Sequence, residues 1–255
     1  MIHMGSKRLA QPTADAGQMY GKNLSFAAAE AYKLLRTNLL FAMPDEHACR
    51  IVGITSATSG EGKSTTALNL AYMLAETGRR TLLIEGDMRL PSVSRRLGLK
   101  TVPGLSNLLA GLCQAGEAVQ ASGIQAQLWV IPSGDIPPNP SELLGSKQMQ
   151  ELLGALSGSY DFIILDLPPV NAVADALVAA QMAHGVLMVV RQNYVTRQAV
   201  AEAMRQIQYI HAKLLGFVVT DADGPVKGGK KYGYRYGYGY GSGSSKHEKI
   251  AEYQP

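Results

Sequence analysis

A glycine-bearing loop that ends in Gly-Lys-Ser is the part of the sequence whose residue types and spacing can do chemistry. The loop covers residues 57–64, follows the β-branched apolar run 51–56 and leads into the helix-compatible segment 65–71. Strand, loop, Gly-Lys-Ser and helix in this order are the context of a phosphate-binding P-loop. An ordinary glycine-rich β–α turn is the alternative, and Ala57 stands where the strict motif has glycine. We favour the P-loop and predict that the chain binds a nucleoside triphosphate.

The polar groups of this loop suit a nucleotide site. Gly60 and Gly62 let successive backbone N–H groups point at phosphate oxygens, and the following helix adds its positive N-terminal dipole. Lys63 is expected to reach the β- and γ-phosphates, and the Ser64 hydroxyl to bind Mg²⁺. The residues predicted to contact the nucleotide are Ser59, Gly60, Glu61, Gly62, Lys63, Ser64 and Thr65.

Two further predicted strands end in carboxylates. The run 80–85 ends in Glu85, with Asp87 in the next loop, and the apolar run 161–166 ends in Asp166 before Leu-Pro-Pro. Ligands bind at the carboxyl ends of strands in open parallel sheets. An aspartate at the tip of a buried strand beside a P-loop is the Walker B arrangement, which holds Mg²⁺. For Asp166 the alternative is a residue that merely turns the chain before the prolines.

The order of strand and helix patterns predicts how these residues are positioned. Ser25 suits the N-cap of a helix that runs to about residue 41 and is closed by Pro44. The apolar stripe of this helix comprises Phe26, Ala29, Leu34, Leu35, Leu39 and Leu40. Further helices are predicted at 141–156 and 196–210, and further strands at 127–131, 185–190 and 214–220. About six strands with interleaved helices indicate an α/β fold with a doubly wound, mostly parallel sheet.

Composition limits the class of protein. A chain of 255 residues with 46% hydrophobic and 17% charged residues is typical of one globular domain, and a net charge of +4 does not indicate nucleic acid as a partner. Cys49 and Cys113 lack metal-ligand spacing, and we expect reduced thiols in a cytoplasmic protein. No apolar run approaches the ~18 residues of a membrane span, and no signal peptide is apparent. If the chain acts at a membrane, something else must hold it there.

The two ends of the chain differ from its centre. We predict a flexible arm at 1–24, a nucleotide-binding domain at 25–223 and a solvent-accessible tail at 224–255. The tail alternates tyrosine and glycine, and its clustered tyrosines are Tyr232, Tyr234, Tyr236, Tyr238 and Tyr240. Phosphorylation adds about −1.5 to −2 charge per site, which would reverse the sign of this basic segment. A sticky low-complexity segment and a stacking surface for nucleic acid or polysaccharide are the alternatives.

Charged residues three apart mark the helix that precedes the P-loop. Glu30, Lys33 and Arg36 are expected to share one face. That face is either a solvated surface with salt bridges or a polar contact with a neighbouring subunit.

Several of these motifs together resemble one family, the bacterial tyrosine kinases of capsular and exopolysaccharide biosynthesis. The segments at 57–65, 83–89 and 163–169 resemble its Walker A, A′ and B motifs, and 30–38, 137–144 and the tyrosine-rich end resemble further family features. The similarity covers nearly everything from about residue 25 and is greatest to the stand-alone cytoplasmic kinase subunit.

The resemblance implies autophosphorylation of the tail tyrosines with ATP and Mg²⁺, between neighbouring subunits of a ring. It also implies activation by a membrane-spanning chain-length-determinant protein, recruitment to the inner face of the plasma membrane, and a tyrosine phosphatase that reverses the modification. Carried over by position, Lys63, Glu85, Asp87 and Asp166 are catalytic, and Ser64, Asp87 and Asp166 hold the metal.

The sequence departs from the family pattern at two positions. Glu85 replaces the usual aspartate, and its extra methylene could displace a carboxylate by ~1 Å, while Lys33 replaces a common arginine. A partitioning or cell-division ATPase is a rival hypothesis, but Thr58 occupies the place of that group's signature lysine. An ATP-binding scaffold without kinase chemistry is a second rival. A eukaryotic-type kinase is disfavoured because no His-Arg-Asp or Asp-Phe-Gly element occurs.

Overall fold

The centre of the protein is a sheet that carries every element of the predicted nucleotide site. The computed structural model describes residues 20–43 and 48–221. Within these ranges the strands are β1 (Arg50–Ser56), β2 (Thr81–Glu85), β3 (Gln120–Ala121), β4 (Leu128–Ile131), β5 (Phe162–Asp166), β6 (Gly185–Arg191) and β7 (Leu214–Thr220). Their order is β3-β4-β2-β5-β1-β6-β7, and every neighbouring pair is parallel except β3 and β4. The predicted doubly wound, mostly parallel sheet is confirmed.

Helices cover both faces of this sheet. They are α1 (Phe26–Ala42), α2 (Lys63–Glu76), α3 (Val93–Arg96), α4 (Leu105–Leu109), α5 (Ala115–Ala118), α6 (Pro140–Leu144), α7 (Lys147–Ser157), α8 (Asp175–Ala180) and α9 (Arg197–Tyr209), with a 3₁₀ turn at Gly21–Asn23. Alternate residues of a strand point to opposite faces. In β5, Ile163 therefore packs into one apolar cluster with α4 to α9, while Ile164 packs into another with α1 and α2. All residues of β1, β2 and β5 are buried, as expected for strands covered on both sides.

Helix α1 was predicted correctly in extent but only partly in its packing. The Ser25 hydroxyl accepts a hydrogen bond from the Ala28 N–H, which confirms the N-cap. Leu39 is buried, but Phe26 and Leu34 are 82% and 61% exposed, so the proposed apolar stripe is wrong at these two positions. The helix packs on the α2 cluster through Leu35 and Leu39 of the stripe, which leaves Phe26 and Leu34 in solvent.

The three charged residues of α1 do not share one face. Lys33 Nζ lies 2.8 Å from Glu30 Oε1 in an exposed pair. Arg36 instead turns toward α2, where its Nη1 donates to the Met73 carbonyl oxygen at 2.8 Å and lies 3.9 Å from Glu76 Oε2. Arg36 therefore fixes α1 to α2.

The structure corrects two further predictions. The helix predicted at 141–156 is divided into α6 and α7, because Gly145 packs closely on Val178 and Ser146 begins α7 as its N-cap. The described residues form seven strands rather than about six, because β3 is a two-residue antiparallel strand at the sheet edge. Two residues are too few to give a periodic signal in the sequence.

Some predicted segments lie outside the described residues. These are most of the arm at 1–24, Pro44 and the tail at 224–255, so the proposed domain boundaries remain predictions. Cys49 and Cys113 are free cysteines. Across the described part of the chain, no helix combines the length and apolarity needed to cross a membrane.

Candidate active site

Strand order alone brings three predicted motifs to one edge of the sheet. β5 lies between β1 and β2, and all three are parallel. Asp166 is opposite Ile54 on one side and Glu85 on the other. The P-loop, which follows β1, and the loop after β2 therefore meet beside Asp166. Gly86 allows this approach, because its N–H donates to the Asp166 carbonyl oxygen at 2.9 Å and an added Cβ would lie 3.1 Å from that oxygen.

The P-loop has the backbone that its glycines predict. Gly60 and Gly62 have φ angles of 84° and 94°, in the left-handed region that favours glycine. At Gly60 an added Cβ would also lie 2.8 Å from the Tyr194 hydroxyl, which donates to the Ser59 carbonyl oxygen. Lys63 opens α2 directly after Gly62, so the helix N-terminus faces the phosphate site.

Glu61 shapes the loop from within. Its side chain is fully buried, and Oε1 accepts hydrogen bonds from the N–H and hydroxyl of Thr58. Oε2 accepts from the Arg191 N–H at 3.2 Å, and the Glu61 carbonyl oxygen accepts from the Thr220 hydroxyl at 2.8 Å. Among the residues that the structure describes, the backbone N–H of Glu61 has no acceptor and is left for a phosphate, whereas the carboxylate holds the loop in shape.

A compact cluster of charges lies under the loop. Lys63 Nζ is 2.7 Å from Asp87 Oδ2, 3.9 Å from Asp166 Oδ1 and 3.4 Å from Ser64 Oγ. Burial lowers the pKa of Lys63, but the negative charges of Asp166 and Asp87 outweigh burial and raise it above its ordinary value. Lys63 therefore stays protonated and can offset phosphate charge.

Asp166 fits the role of a metal ligand. It is 1% exposed, and neither carboxylate oxygen accepts a well-formed hydrogen bond from a described residue, although the Ser64 hydroxyl is near enough to stabilise the carboxylate. Burial raises the pKa of Asp166 to about 6, against the opposing effect of Lys63. Buried polar atoms without a well-formed hydrogen bond are rare in proteins, and a carboxylate in this state suits a bound metal ion. Together with Ser64 and Asp87, Asp166 offers the oxygen donors that Mg²⁺ accepts beside a nucleotide.

Glu85 is directed away from this cluster. Its Oε1 accepts from the Val93 N–H at 2.6 Å, and its Oε2 accepts from the Ser94 hydroxyl at 2.7 Å and the Ser133 N–H at 3.3 Å. The longer side chain thus reaches the first turn of α3 and the loop after β4. The structure places Glu85 beside the site without turning its carboxylate toward Lys63.

A cavity of about 350 Å³ opens above the charges. It is lined by Ser59, Gly60, Gly62, Lys63, Ser64, Thr65, Asp87, Arg89, Leu90, Ser92, Arg96, Pro168, Pro169, Ala172 and Val173. Six of the seven predicted nucleotide contacts line it, and Glu61 does not. The predicted acceptor tyrosines at 232–240 lie outside the described residues.

Arginines near the cavity were not among the predicted site residues. Arg96 Nη1 donates to the Thr65 hydroxyl at 2.7 Å. Arg89 pairs with Asp175, whose side chain is fully buried and also accepts a hydrogen bond from Ser141. Arg89 stands two residues after Asp87 in a charged loop, which was a usable signal. Nothing in the sequence connected it with Asp175, 86 residues later.

Comparison with known proteins gives the same picture. A family model described as an AAA domain matches residues 49–217. Tyrosine-protein kinase YwqD of Bacillus subtilis is 41% identical over 191 residues, which are 75% of this chain and 80% of that protein. The kinase domain of the Escherichia coli tyrosine kinase ETK superposes with a TM-score of 0.79 at 31% identity, over 89% of this chain and 88% of that one.

A more distant structure is also similar. It is the septum site-determining protein MinD from Pyrococcus horikoshii, complexed with Mg-ADP, with a TM-score of 0.58 at 25% identity over 67% of this chain and 70% of that one.

Proposed function

Because the chain belongs to the bacterial tyrosine-protein kinases, we propose that it transfers the γ-phosphoryl group of ATP to tyrosine, foremost to Tyr232, Tyr234, Tyr236, Tyr238 and Tyr240 of its own tail. The observation that carries the proposal is the buried cluster of Lys63, Asp87 and Asp166 beneath a P-loop cavity. P-loop catalysis is mostly positioning and charge stabilisation, and these residues supply both.

In the transfer step, the phenol oxygen forms a bond to the γ-phosphorus. The bond from that phosphorus to the β–γ bridging oxygen breaks, and ADP leaves with the electron pair. The phenolic proton passes to a carboxylate of the cluster. Lys63 and the loop N–H groups stabilise charge on the phosphates, while Ser64, Asp87 and Asp166 would hold Mg²⁺, which supplies further neutralisation there.

The family membership also supports finer assignments. The modified tail regulates synthesis and export of a capsular or extracellular polysaccharide. The kinase acts from the cytoplasm on the inner face of the membrane, where a membrane-spanning chain-length-determinant protein recruits and activates it. Subunits in a ring phosphorylate one another's tails through contacts that include α1, and a tyrosine phosphatase resets them.

The test is incubation of the purified full chain with labelled ATP and Mg²⁺, with and without a cytoplasmic peptide of the membrane partner. Anti-phosphotyrosine detection and peptide mapping then locate the label. We expect label in residues 232–240 and an increase with the peptide.

Two variants test the nucleotide site and the acceptor tyrosines separately. Lys63→Met should abolish labelling while the circular dichroism spectrum stays unchanged. Replacement of the five clustered tyrosines by Phe should remove most of the label without weakening ATP binding.

Other results would count against the proposal. Unchanged labelling of the five-Phe chain would place the acceptors elsewhere. Tight ATP binding without phosphotyrosine in either condition would favour the ATP-binding scaffold or a partitioning-type ATPase.

A further inference from the structure

Arg89 lines the cavity and is held in place by two hydrogen bonds to Asp175. Its Nε lies 2.8 Å from Asp175 Oδ2, and its Nη2 lies 3.2 Å from Asp175 Oδ1. Two parallel N–H···O bonds of this kind set the orientation of the guanidinium plane. The Arg89 side chain is 45% exposed, whereas that of Asp175 is fully buried. The pair therefore carries a rigid positive group from the protein interior to the cavity.

Residues from three separate segments form the ion pair and its supporting hydrogen bond. Arg89 lies in the loop after β2, Asp175 is the first residue of α8, and Ser141 in the first turn of α6 donates its hydroxyl to Asp175 Oδ1. Burial raises the pKa of Asp175, but its hydrogen bonds with Arg89 and Ser141 outweigh burial and lower it, so the carboxylate stays ionised.

Such an arrangement is not an ordinary surface ion pair. Desolvation of a buried carboxylate is costly, and exposed pairs contribute little to stability. The buried pair is therefore better explained by its effect on Arg89, because it fixes the orientation of the Arg89 guanidinium. Within the described residues, Arg89 Nη1 has no acceptor, although Arg89 lines the same cavity as Lys63 and Asp87. The cavity wall therefore carries a charged N–H donor, Arg89 Nη1, that binds no acceptor among the described residues.

We propose that Asp175 and Ser141 are positioning residues that hold Arg89 so that its Nη1 donates to an oxygen of the γ-phosphoryl group as this group moves from ATP to tyrosine. The proposal rests on the kinase function proposed above. The proposal also assigns a role to the segment at 137–144, because Ser141 in this segment donates a hydrogen bond to Asp175.

The first test compares two nucleotides on the full chain. Dissociation constants for Mg-ADP and for the non-hydrolysable Mg-AMPPNP are measured for the wild type, Arg89→Met, Asp175→Asn and Ser141→Ala. Loss of one charge-assisted hydrogen bond weakens binding by about tenfold. Arg89→Met and Asp175→Asn should therefore weaken Mg-AMPPNP about tenfold and leave Mg-ADP within about twofold, with a smaller loss for Ser141→Ala. A purely structural role would weaken both nucleotides alike.

A matched control uses another Asp–Arg pair. Asp161 Oδ1 lies 3.6 Å from Arg80 Nη2 at the opposite edge of the sheet. Asp161→Asn makes the same chemical change there and should alter neither dissociation constant. Asp175→Asn in an Arg89→Met background should add no further loss for Mg-AMPPNP, because Asp175 acts through Arg89.

Kinetics supply a second readout. With Arg89→Lys, the charge remains but the two-bond geometry is lost. Because the proposed bond is made to bound ATP and is kept during transfer, kcat/KM for ATP should fall at least about tenfold, through both a higher KM and a lower kcat. Melting temperatures of all variants report whether each chain is folded.

The results are distinguishable from failure of the kinase proposal. If the wild-type chain forms no phosphotyrosine in the labelling assay, the proposed kinase function is wrong. If Mg-AMPPNP then still loses affinity selectively in Asp175→Asn, Arg89 positioning at the γ-phosphoryl group stands by itself. Equal losses for both nucleotides, no loss, or tighter Mg-AMPPNP binding in Asp175→Asn would each overturn the inference.

Discussion

Asp166 combines burial and charge more sharply than any other described residue of the site. Its pKa of about 6 lies above the ordinary aspartate value near 4, so the folded chain binds a proton more readily than the unfolded chain. Between about pH 4 and 6, the folded state therefore holds more protons, and stability falls as the pH rises through this window. At neutral pH the ionised Asp166 carboxylate therefore lowers the unfolding free energy of the nucleotide-free protein.

Replacing Asp166 by Asn should remove this destabilising effect. At pH 7.5 without nucleotide, Asp166→Asn should have a higher melting temperature than the wild type. The corresponding gain in unfolding free energy should be at most about 3 kcal/mol. At pH 4 the difference should vanish, because the wild-type carboxyl is then protonated. Calorimetric melting at both pH values checks this, and an equal or larger difference at pH 4 would contradict it. Mg²⁺-dependent nucleotide binding should weaken in the same variant.

Glu85 leads to a prediction opposite to the expectation from the sequence. The family resemblance of the motif at 83–89 implies that Glu85→Asp would restore the usual aspartate. In the structure the carboxylate binds the Val93 N–H and the Ser94 hydroxyl, and a side chain shorter by one methylene withdraws from both. We expect Glu85→Asp to lower the unfolding free energy by about 1–3 kcal/mol and to reduce phosphotyrosine formation. Urea denaturation and a labelling assay measure the two effects, and a gain in both would show that Glu85 is only a displaced catalytic carboxylate.

For the helices and strands, sequence patterns predicted the features that depend on local periodicity. β1, the P-loop and α2 follow from an apolar run, glycines and helix-compatible residues in direct succession. Contacts between distant segments could not be predicted in the same way. The pairing of Arg89 with Asp175 depends on where α8 begins, and the direction of Glu85 depends on the reach of its extra methylene.

The break between α6 and α7 is a second contact of this kind. A Cβ on Gly145 would lie 2.6 Å from Val178 Cγ1, whereas one on Gly154, within α7, would have no atom within 4 Å. Gly145→Ala should therefore destabilise the protein by about 1–3 kcal/mol through overpacking. Gly154→Ala should instead stabilise it by about 0.5–1 kcal/mol through helix propensity. Chemical denaturation of the two variants tests the pair, and equal signs would contradict the packing at α8.

The nucleotide site and the proposed acceptor tyrosines belong to different parts of the chain. The P-loop, Asp87 and Asp166 are complete within residues 48–221, and the clustered tyrosines follow that range. A chain that ends at residue 223 should bind Mg-ATP with wild-type affinity and gain the same stabilisation, about 2.7 kcal/mol at one hundred times the dissociation constant. It should incorporate no phosphotyrosine. Isothermal titration and labelling measure these outcomes, and label retained in the shortened chain would move the acceptors into the domain.

The sheet order has a consequence for hydrogen exchange. β1 is central and fully buried, while β7 lies at an edge with residues such as Val219 half exposed, so local opening should begin at β7. Yet Thr220 at the end of β7 donates to the Glu61 carbonyl oxygen, and opening of the edge therefore releases the P-loop. A nucleotide that binds only the ordered loop must oppose this opening. Mg-ADP should thus slow exchange of the β7 amides, although no β7 residue lines the cavity.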